Sequence, residues 1–339
     1  MSAFPIIGNA SVLPGPLSDL QLRLASASIS APGRVGIEIK DLSTGFSSGY
    51  NADASMPAAS TIKIPVMVEV FRQMSVGTLM LTRTVGLQYT DKDDGSGDLC
   101  YARVGTRYSV KTLLWQMITE SDNTATNMLI RLVGRHKINV TMRELGLTHT
   151  LLGDYIRTSS SSVRYALRSS PRDMVSLLEA MARDQLVDPW SSREMLAILA
   201  GQQHNSLLPQ PLPEGLPIAH KTGSLHDTLN DVGVVYLDSE PYVIAVMTTN
   251  LSSLPSGRRF IHNVSRLAYQ SFERMAQWRE NAGLPAFQLT PPGEEPLRAP
   301  AEPIQPIAPV DPAENAPSAD APAPSAASQQ DPERVFEGP

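Results

Sequence analysis

Three short stretches of this chain carry residues that could make and break an acyl bond. The first is Ser60-Thr61-Ile62-Lys63, at the head of an apolar segment. On a helix, residues three apart share a face, so the Ser60 hydroxyl and the Lys63 amine could meet. A serine hydroxyl is a weak nucleophile until a base takes its proton. A lysine can be that base only when neutral, and burial or a second cation nearby lowers its pKa. The second stretch is Ser121-Asp122-Asn123, in a cap-rich break between two helical patterns. The third is Lys221-Thr222-Gly223-Ser224, at the expected end of a strand, where Gly223 leaves room for a ligand to approach the strand edge. A cationic Lys221 beside Lys63 would favour neutral Lys63 and attract an acidic ligand. Lysine is scarce in the chain (Lys40, Lys63, Lys92, Lys111, Lys137 and Lys221), which gives each placement more weight.

The elements that must position these groups can be read from periodicity. Leu17, Leu20, Leu24 and Ala27 have helical spacing, with Ser18 as a candidate N-cap. Val35, Ile37 and Ile39 alternate with Glu38 and Lys40 as a strand, and residues 46–50 return as its hairpin partner. Pro65 implies that the next helix starts close to Ser60 or kinks there. Residues 110–132 read as two helices broken at 119–124, and residues 146–170 as irregular. Residues 171–183 form a helix with Ser170 as N-cap and Pro171 at its first position, and residues 190–200 form another. Residues 218–221, 231–237 and 242–249 are β-branched strands, and residues 258–281 an amphipathic helix. Strands at both ends and helices between them predict an α+β fold. A five-stranded antiparallel sheet is covered by the N- and C-terminal helices, with an all-helical lobe beside it and a groove between the lobes as the natural site. The expected organisation is an irregular arm over 1–16 and a domain over 17–282. Within it the α/β lobe is 17–59 plus 215–282 and the helical lobe 60–214. A disordered Pro/Ala-rich tail is expected over 283–339. Fourteen of the chain's 28 prolines fall after residue 284, in a segment with little to build a core. The loop 91–98 reads as a plain solvated loop.

Composition narrows the function. Over 339 residues, hydrophobic content is 42 % and charged content 18 %, as in globular proteins. A net charge of −6 gives no general field for nucleic acid. Cys100 is the only cysteine, so no internal disulfide forms, and the six histidines show no metal-ligand spacing. No metal or cofactor is expected. No apolar run is long enough to span a membrane, and no signal peptide is visible in the first ten residues.

Ser60-x-x-Lys63, Ser121-Asp122-Asn123 and Lys221-Thr222-Gly223 together, in that order, resemble the motif set of class A β-lactamases and penicillin-binding proteins. Residues 46–63, 95–97, 119–130, 145–147 and 219–249 are similar to that family beyond the motifs, and the likeness covers roughly 17–282. It implies that Ser60 is the acylated nucleophile and Lys63 the base or part of it. It implies that Ser121 relays a proton to the leaving nitrogen and that Asn123 holds the substrate's side-chain amide. Lys221, Thr222 and Ser224 would hold its carboxylate, and the backbone N–H groups of Ser60 and Ser224 would form the oxyanion hole. The family is usually secreted or periplasmic.

Two departures qualify the resemblance. The hydrolytic members carry a deacylating glutamate after the Leu145-Gly146-Leu147 segment, but here no glutamate lies between Glu144 and Glu179. Counting from Thr150 places Ile156 at that position and Ser160 at its asparagine partner's. Asp154 is the only nearby acid, with a shorter reach. No arginine comes shortly after Lys221 to give a second carboxylate partner. The expected function is a β-lactamase-family serine hydrolase that forms an acyl-enzyme at Ser60 and deacylates slowly. The alternatives are a D-alanyl-D-alanine carboxypeptidase acting on peptidoglycan stem peptides, and a β-lactam binder or sensor without turnover.

Overall fold

The computed structural model describes residues 15–160 and 162–293. The expected arm, up to residue 14, and the tail from 294 onward lie outside the described residues. The first elements are helix α1 (Gly15–Ile29) and strands β1 (Arg34–Asp41) and β2 (Ser47–Tyr50). A one-turn 3-10 helix (Ala59–Ile62) then leads into α2 (Lys63–Ser75). The helical lobe continues with α3 (Val110–Thr119), α4 (Asn123–Val133), α5 (Arg135–Glu144), α6 (Pro171–Ala182) and α7 (Pro189–Ala200). Strands β3 (Ile218–Leu225), β4 (Thr228–Val235) and β5 (Tyr242–Thr249) and the long helix α8 (Leu254–Asn281) complete the α/β lobe. The sheet runs β2-β1-β5-β4-β3 and is antiparallel throughout. Ile37 pairs with Val246, and Lys221 with Val232.

The sheet is buried on both faces, because each face has a layer of helices. Alternate residues of β5 therefore serve two cores. Tyr242, Ile244 and Val246 meet Leu17, Leu24, Ile261 and Phe272 of α1 and α8. Val243 and Ala245 face the helical lobe and join Ile64, Met67, Leu178 and Ile198. The expected polar outer face of β1 is not there. Glu38 is buried and its carboxylate meets Arg172 at the start of α6. An alternating pattern does not show that a charged side chain will be covered by a helix from 130 residues later.

Local chemistry explains most boundaries. Ser170 Oγ accepts from the Asp173 amide and Pro171 occupies the first position of α6, as expected. Ser18 does not cap: it lies inside α1, which begins three residues earlier. Pro65 falls in the first turn of α2, where its missing N–H leaves no helical bond unmade, so α2 needs no kink. Residues 146–170, expected to be irregular, contribute two short strands, Leu151–Leu152 and Leu167–Ser169, paired with Met56–Pro57 in a small second sheet. Strand β3 reaches Leu225, so Lys221 to Ser224 lie within it rather than at its end. The expectation of a core-free tail from 283 also needs correcting over its first residues. Phe287 and Leu289 pack against the main core, and the Phe287 amide donates to the Ser239 carbonyl. Among the described residues, no helix is long and apolar enough to cross a membrane.

Candidate active site

Ser60 sits on the 3-10 turn where the α/β lobe hands the chain to the helical lobe. The residue before it, Ala59, has φ +47°, a left-handed conformation that costs energy in a non-glycine residue. The turn is held from outside. Asn230 on β4 donates from Nδ2 to the carbonyls of Pro57 (2.9 Å) and Ala58 (3.0 Å), while its Oδ1 accepts from the Thr248 amide. From β3, Gly223 lies so close that a Cβ there would come within 3.0 Å of the Ser60 amide and of the Ala58 carbonyl. A side chain at 223 would therefore press the Ser60 turn away from the strand by a few tenths of an ångström, which favours glycine there.

Lys63 opens α2 with its side chain fully buried. Its Nζ donates to the Ser121 carbonyl (2.5 Å), Ser121 Oγ (3.0 Å) and Asn123 Oδ1 (2.7 Å). Burial pushes its pKa well below the ordinary lysine value, and the Lys221 charge pushes further in the same direction. A neutral amine has two N–H donors and a lone pair. Losing the proton therefore releases one of the three contacts, and the lone pair can then accept from the Ser121 hydroxyl.

Ser121 and Asn123 are presented by the tight entry into α4. Ser121 has φ +60°, and Asp122 caps the helix by accepting from the Ala125 amide at 2.7 Å, while its other oxygen holds the Leu99 amide at 2.9 Å. The cap of α4 is thus Asp122, between Ser121 and Asn123. Gly97 crosses this carboxylate at φ +81°, and a Cβ there would strike it at 2.2 Å. Asn123 is oriented by Asp93, whose Oδ1 accepts from Asn123 Nδ2 at 2.8 Å. Asp93 also accepts from the Gly95 amide and from Thr158 through both its amide and its hydroxyl. The loop 91–98 is therefore not a plain solvated loop: Asp91 and Asp93 are buried supports, Asp91 pairing with Arg131 of α4. A loop sequence rich in acids does not reveal that its donors lie on other segments.

Lys221 is also fully buried, with Nζ donating to the Thr222 carbonyl at 3.0 Å. Burial lowers its pKa to about 7, against the opposing pull of Asp231. Asp231 is itself held by His220 Nδ1 (2.9 Å) and the Leu208 amide.

These parts converge on a cleft of about 230 Å³ between the lobes, lined by Ser60, Ser121, Asn123, Thr222, Gly223 and Ser224. Two side chains that the sequence did not single out also reach it. Arg258, exposed on the first turns of α8, brings a second cation to the Thr222–Ser224 side. His204 meets the Glu120 carbonyl across the cleft through its Nε2 at 3.2 Å. The arginine was sought near Lys221 in sequence, whereas it comes from a helix packed beside the strand.

Ile156 is 3 % exposed and joins the main core. Its backbone is gripped on both sides by Asn127 of α4, whose Oδ1 accepts from the Ile156 amide (2.8 Å) and whose Nδ2 donates to its carbonyl (3.0 Å). Ser160, counted as the partner residue, instead bonds Ser162. Asp154 is exposed and pairs with Arg135. Among the described residues, no cluster of side chains has the makeup of a metal site.

The sequence of residues 19–272 matches the family described as the beta-lactamase enzyme family. The chain belongs to that family. A β-lactamase of Streptomyces albus G is 26 % identical over 247 residues, covering 69 % of this chain and 78 % of that protein. Among solved structures, PBP-A is 32 % identical with a TM-score of 0.71, covering 76 % of this chain and 97 % of that one. A β-lactamase from Sphaerobacter thermophilus is also 32 % identical, with a TM-score of 0.70 over 76 % of this chain and 97 % of its own. A PBP-A variant carrying a leucine-to-glutamate substitution, in its acyl-enzyme complex with penicillin G, matches with a TM-score of 0.71 at 32 % identity over 77 % of this chain and all of its own. The protein is accordingly a β-lactamase-like serine hydrolase of class A type.

Proposed function

We propose that the protein acylates itself at Ser60 with β-lactams and releases the product slowly. The observation that carries this is the triple hold on Lys63, which places a buried, pKa-depressed amine against Ser121 one turn after Ser60. Neutral Lys63 takes the Ser60 proton as the hydroxyl oxygen bonds to the lactam carbonyl carbon. The backbone amides of Ser60 and Ser224 receive the oxyanion. When the C–N bond breaks, Ser121 gives its proton to the departing nitrogen and regains one from Lys63. Asn123 holds the side-chain amide, and Lys221, Thr222, Ser224 and Arg258 hold the carboxylate.

Slow release rests on Ile156. A hydrolytic water needs a base within hydrogen-bond reach, and an isoleucine has no basic atom. Asp93 does not substitute, because four donors already occupy its carboxylate. The same feature supports a second reading, a D-alanyl-D-alanine carboxypeptidase acting on stem peptides.

The test is a chromogenic cephalosporin read for both turnover and adduct lifetime, beside a stem-peptide mimic read for D-alanine release. A long-lived adduct with D-alanine release supports the peptidase. A long-lived adduct with slow hydrolysis and no D-alanine supports the slow hydrolase. Rapid, repeated turnover contradicts the role given to Ile156, and a permanent adduct with neither product leaves a β-lactam sensor.

A further inference from the structure

An apolar groove of about 440 Å³ runs between the end of α2, the turn after it and the start of α7. Met74, Leu79, Met80, Leu81 and Trp190 supply its apolar lining. Met80 is 66 % and Trp190 50 % exposed, so two large apolar side chains stand in water. The Trp190 ring leans on Phe71 behind it, with centroids 6.0 Å apart, which fixes it as one wall.

The described chain ends along a crevice on α7, the helix that also supplies Trp190 to this groove. After α8, Phe287 and Leu289 dock on the core, and residues 288–293 line a crevice together with Glu194 and Ala197 of α7. Trp190, Glu194 and Ala197 are spaced i, i+4 and i+7, so they share one face of α7. The crevice that Gly293 lines thus takes in part of the α7 face that carries Trp190, and Trp190 is about 6 Å along the axis from Glu194.

The chain beyond Gly293 soon takes on a strict period. Pro300, Pro303, Pro306, Pro309 and Pro312 recur every third residue, and Ile304, Ile307 and Val310 recur with the same spacing. In the extended left-handed helix of three residues per turn that such sequences favour, the prolines form one edge and the aliphatic residues another, about 9 Å apart along the ridge. Segments of this kind bind in aromatic-walled apolar grooves. Eleven residues join Gly293 to Ile304, a reach of up to about 35 Å, ample for a groove that begins one turn away on the same helix.

We infer that residues 300–312 dock in the groove between Met80 and Trp190 of their own chain, with the Ile304–Ile307–Val310 ridge inward. Tethering makes weak docking sufficient, because a short linker holds the segment at an effective concentration in the mM range. Docking would cover the exposed apolar surface of Met80 and Trp190.

The test uses the full chain with Cys100→Ser and Met80→Cys, so that the introduced thiol is the sole one, and tracks its labelling by a maleimide. Against the same chain with Ile304→Ser, Ile307→Ser and Val310→Ser, labelling is expected to be slower by about fivefold, as a mostly docked tether implies, and independent of protein concentration. Equal rates overturn the inference. Protection that grows with protein concentration also overturns it, by placing the segment on a second copy. A second measurement avoids cysteine replacement. Acrylamide quenching of tryptophan emission should rise when the three aliphatic residues are changed in the natural chain, and stay unchanged with Val335→Ser and Phe336→Ser. No rise in the first variant refutes the docking.

Discussion

Lys221→Met should make the protein more stable and less able to bind substrate, and the gain should depend on pH in a defined sense. Lys221 is fully buried, and its pKa falls from 10.5 to about 7 on folding. Between those values the unfolded chain binds a proton that the folded chain lacks, so stability rises with pH through that window. The cost of the buried cation is therefore fully present below pH 7 and fades as the pH approaches 10.5. At about 1.4 kcal/mol per unit, the shift corresponds to roughly 5 kcal/mol. Methionine fills a similar volume without a charge, but Asp231 then loses a cationic neighbour while keeping His220 and the Leu208 amide. A net gain of about 2–3 kcal/mol at pH 6 is expected, shrinking toward zero by pH 10. Urea unfolding at pH 6 and at pH 9.5 measures both ends. The same variant should lose acylation by carboxylate-bearing β-lactams by about 100-fold, the worth of a charge-assisted bond in a dry site. A variant less stable than the parent at pH 6, or a gain that grows with pH, would refute the reasoning.

Ile156→Glu should shorten the life of the acyl-enzyme, because the Asn127 grip on the backbone at 156 places a base at the loop position that lacks one. Stability should fall by about 2–3 kcal/mol for burying a carboxyl group in that core, and stopped-flow deacylation and urea unfolding read the two effects separately. Asn230→Ala removes the support behind the Ser60 turn and takes the Asn230 partner from the Pro57 carbonyl and the Thr248 amide, while the Ala58 carbonyl keeps Thr61, so it should cost about 2–3 kcal/mol and slow acylation, measured by melting and by adduct formation. Arg258→Ala should leave stability within about 0.5 kcal/mol but weaken capture of a penicillin, and not of its methyl ester, by about tenfold in second-order acylation rate.

The motifs were legible because each pairs a residue type with a local device. Ser60 and Lys63 straddle the start of a helix, Ser121 to Asn123 form a helix entry, and Lys221 to Ser224 lie on a β-rich run that alternation identifies. The sheet was readable from the same periodicities. What stayed hidden lies in the supports, which are non-local. Asp93 orients Asn123 from 30 residues away, Asn230 braces carbonyls more than 170 residues earlier, and Arg258 reaches the cleft from the far helix. Asparagine and aspartate in a loop or strand read as turn formers, and nothing in their spacing names a distant backbone group as partner. The buried second face of β1 was missed for the same reason, since Arg172 reaches Glu38 across 134 positions.

The central claim concerns one oxygen atom, and intact-protein mass spectrometry tests it directly. After brief incubation with penicillin G, the protein should gain the mass of one whole penicillin molecule. Peptide mapping should place that mass on Ser60, and the Ser60→Ala protein should gain nothing. Absence of an adduct, or an adduct that persists in Ser60→Ala, would contradict the account.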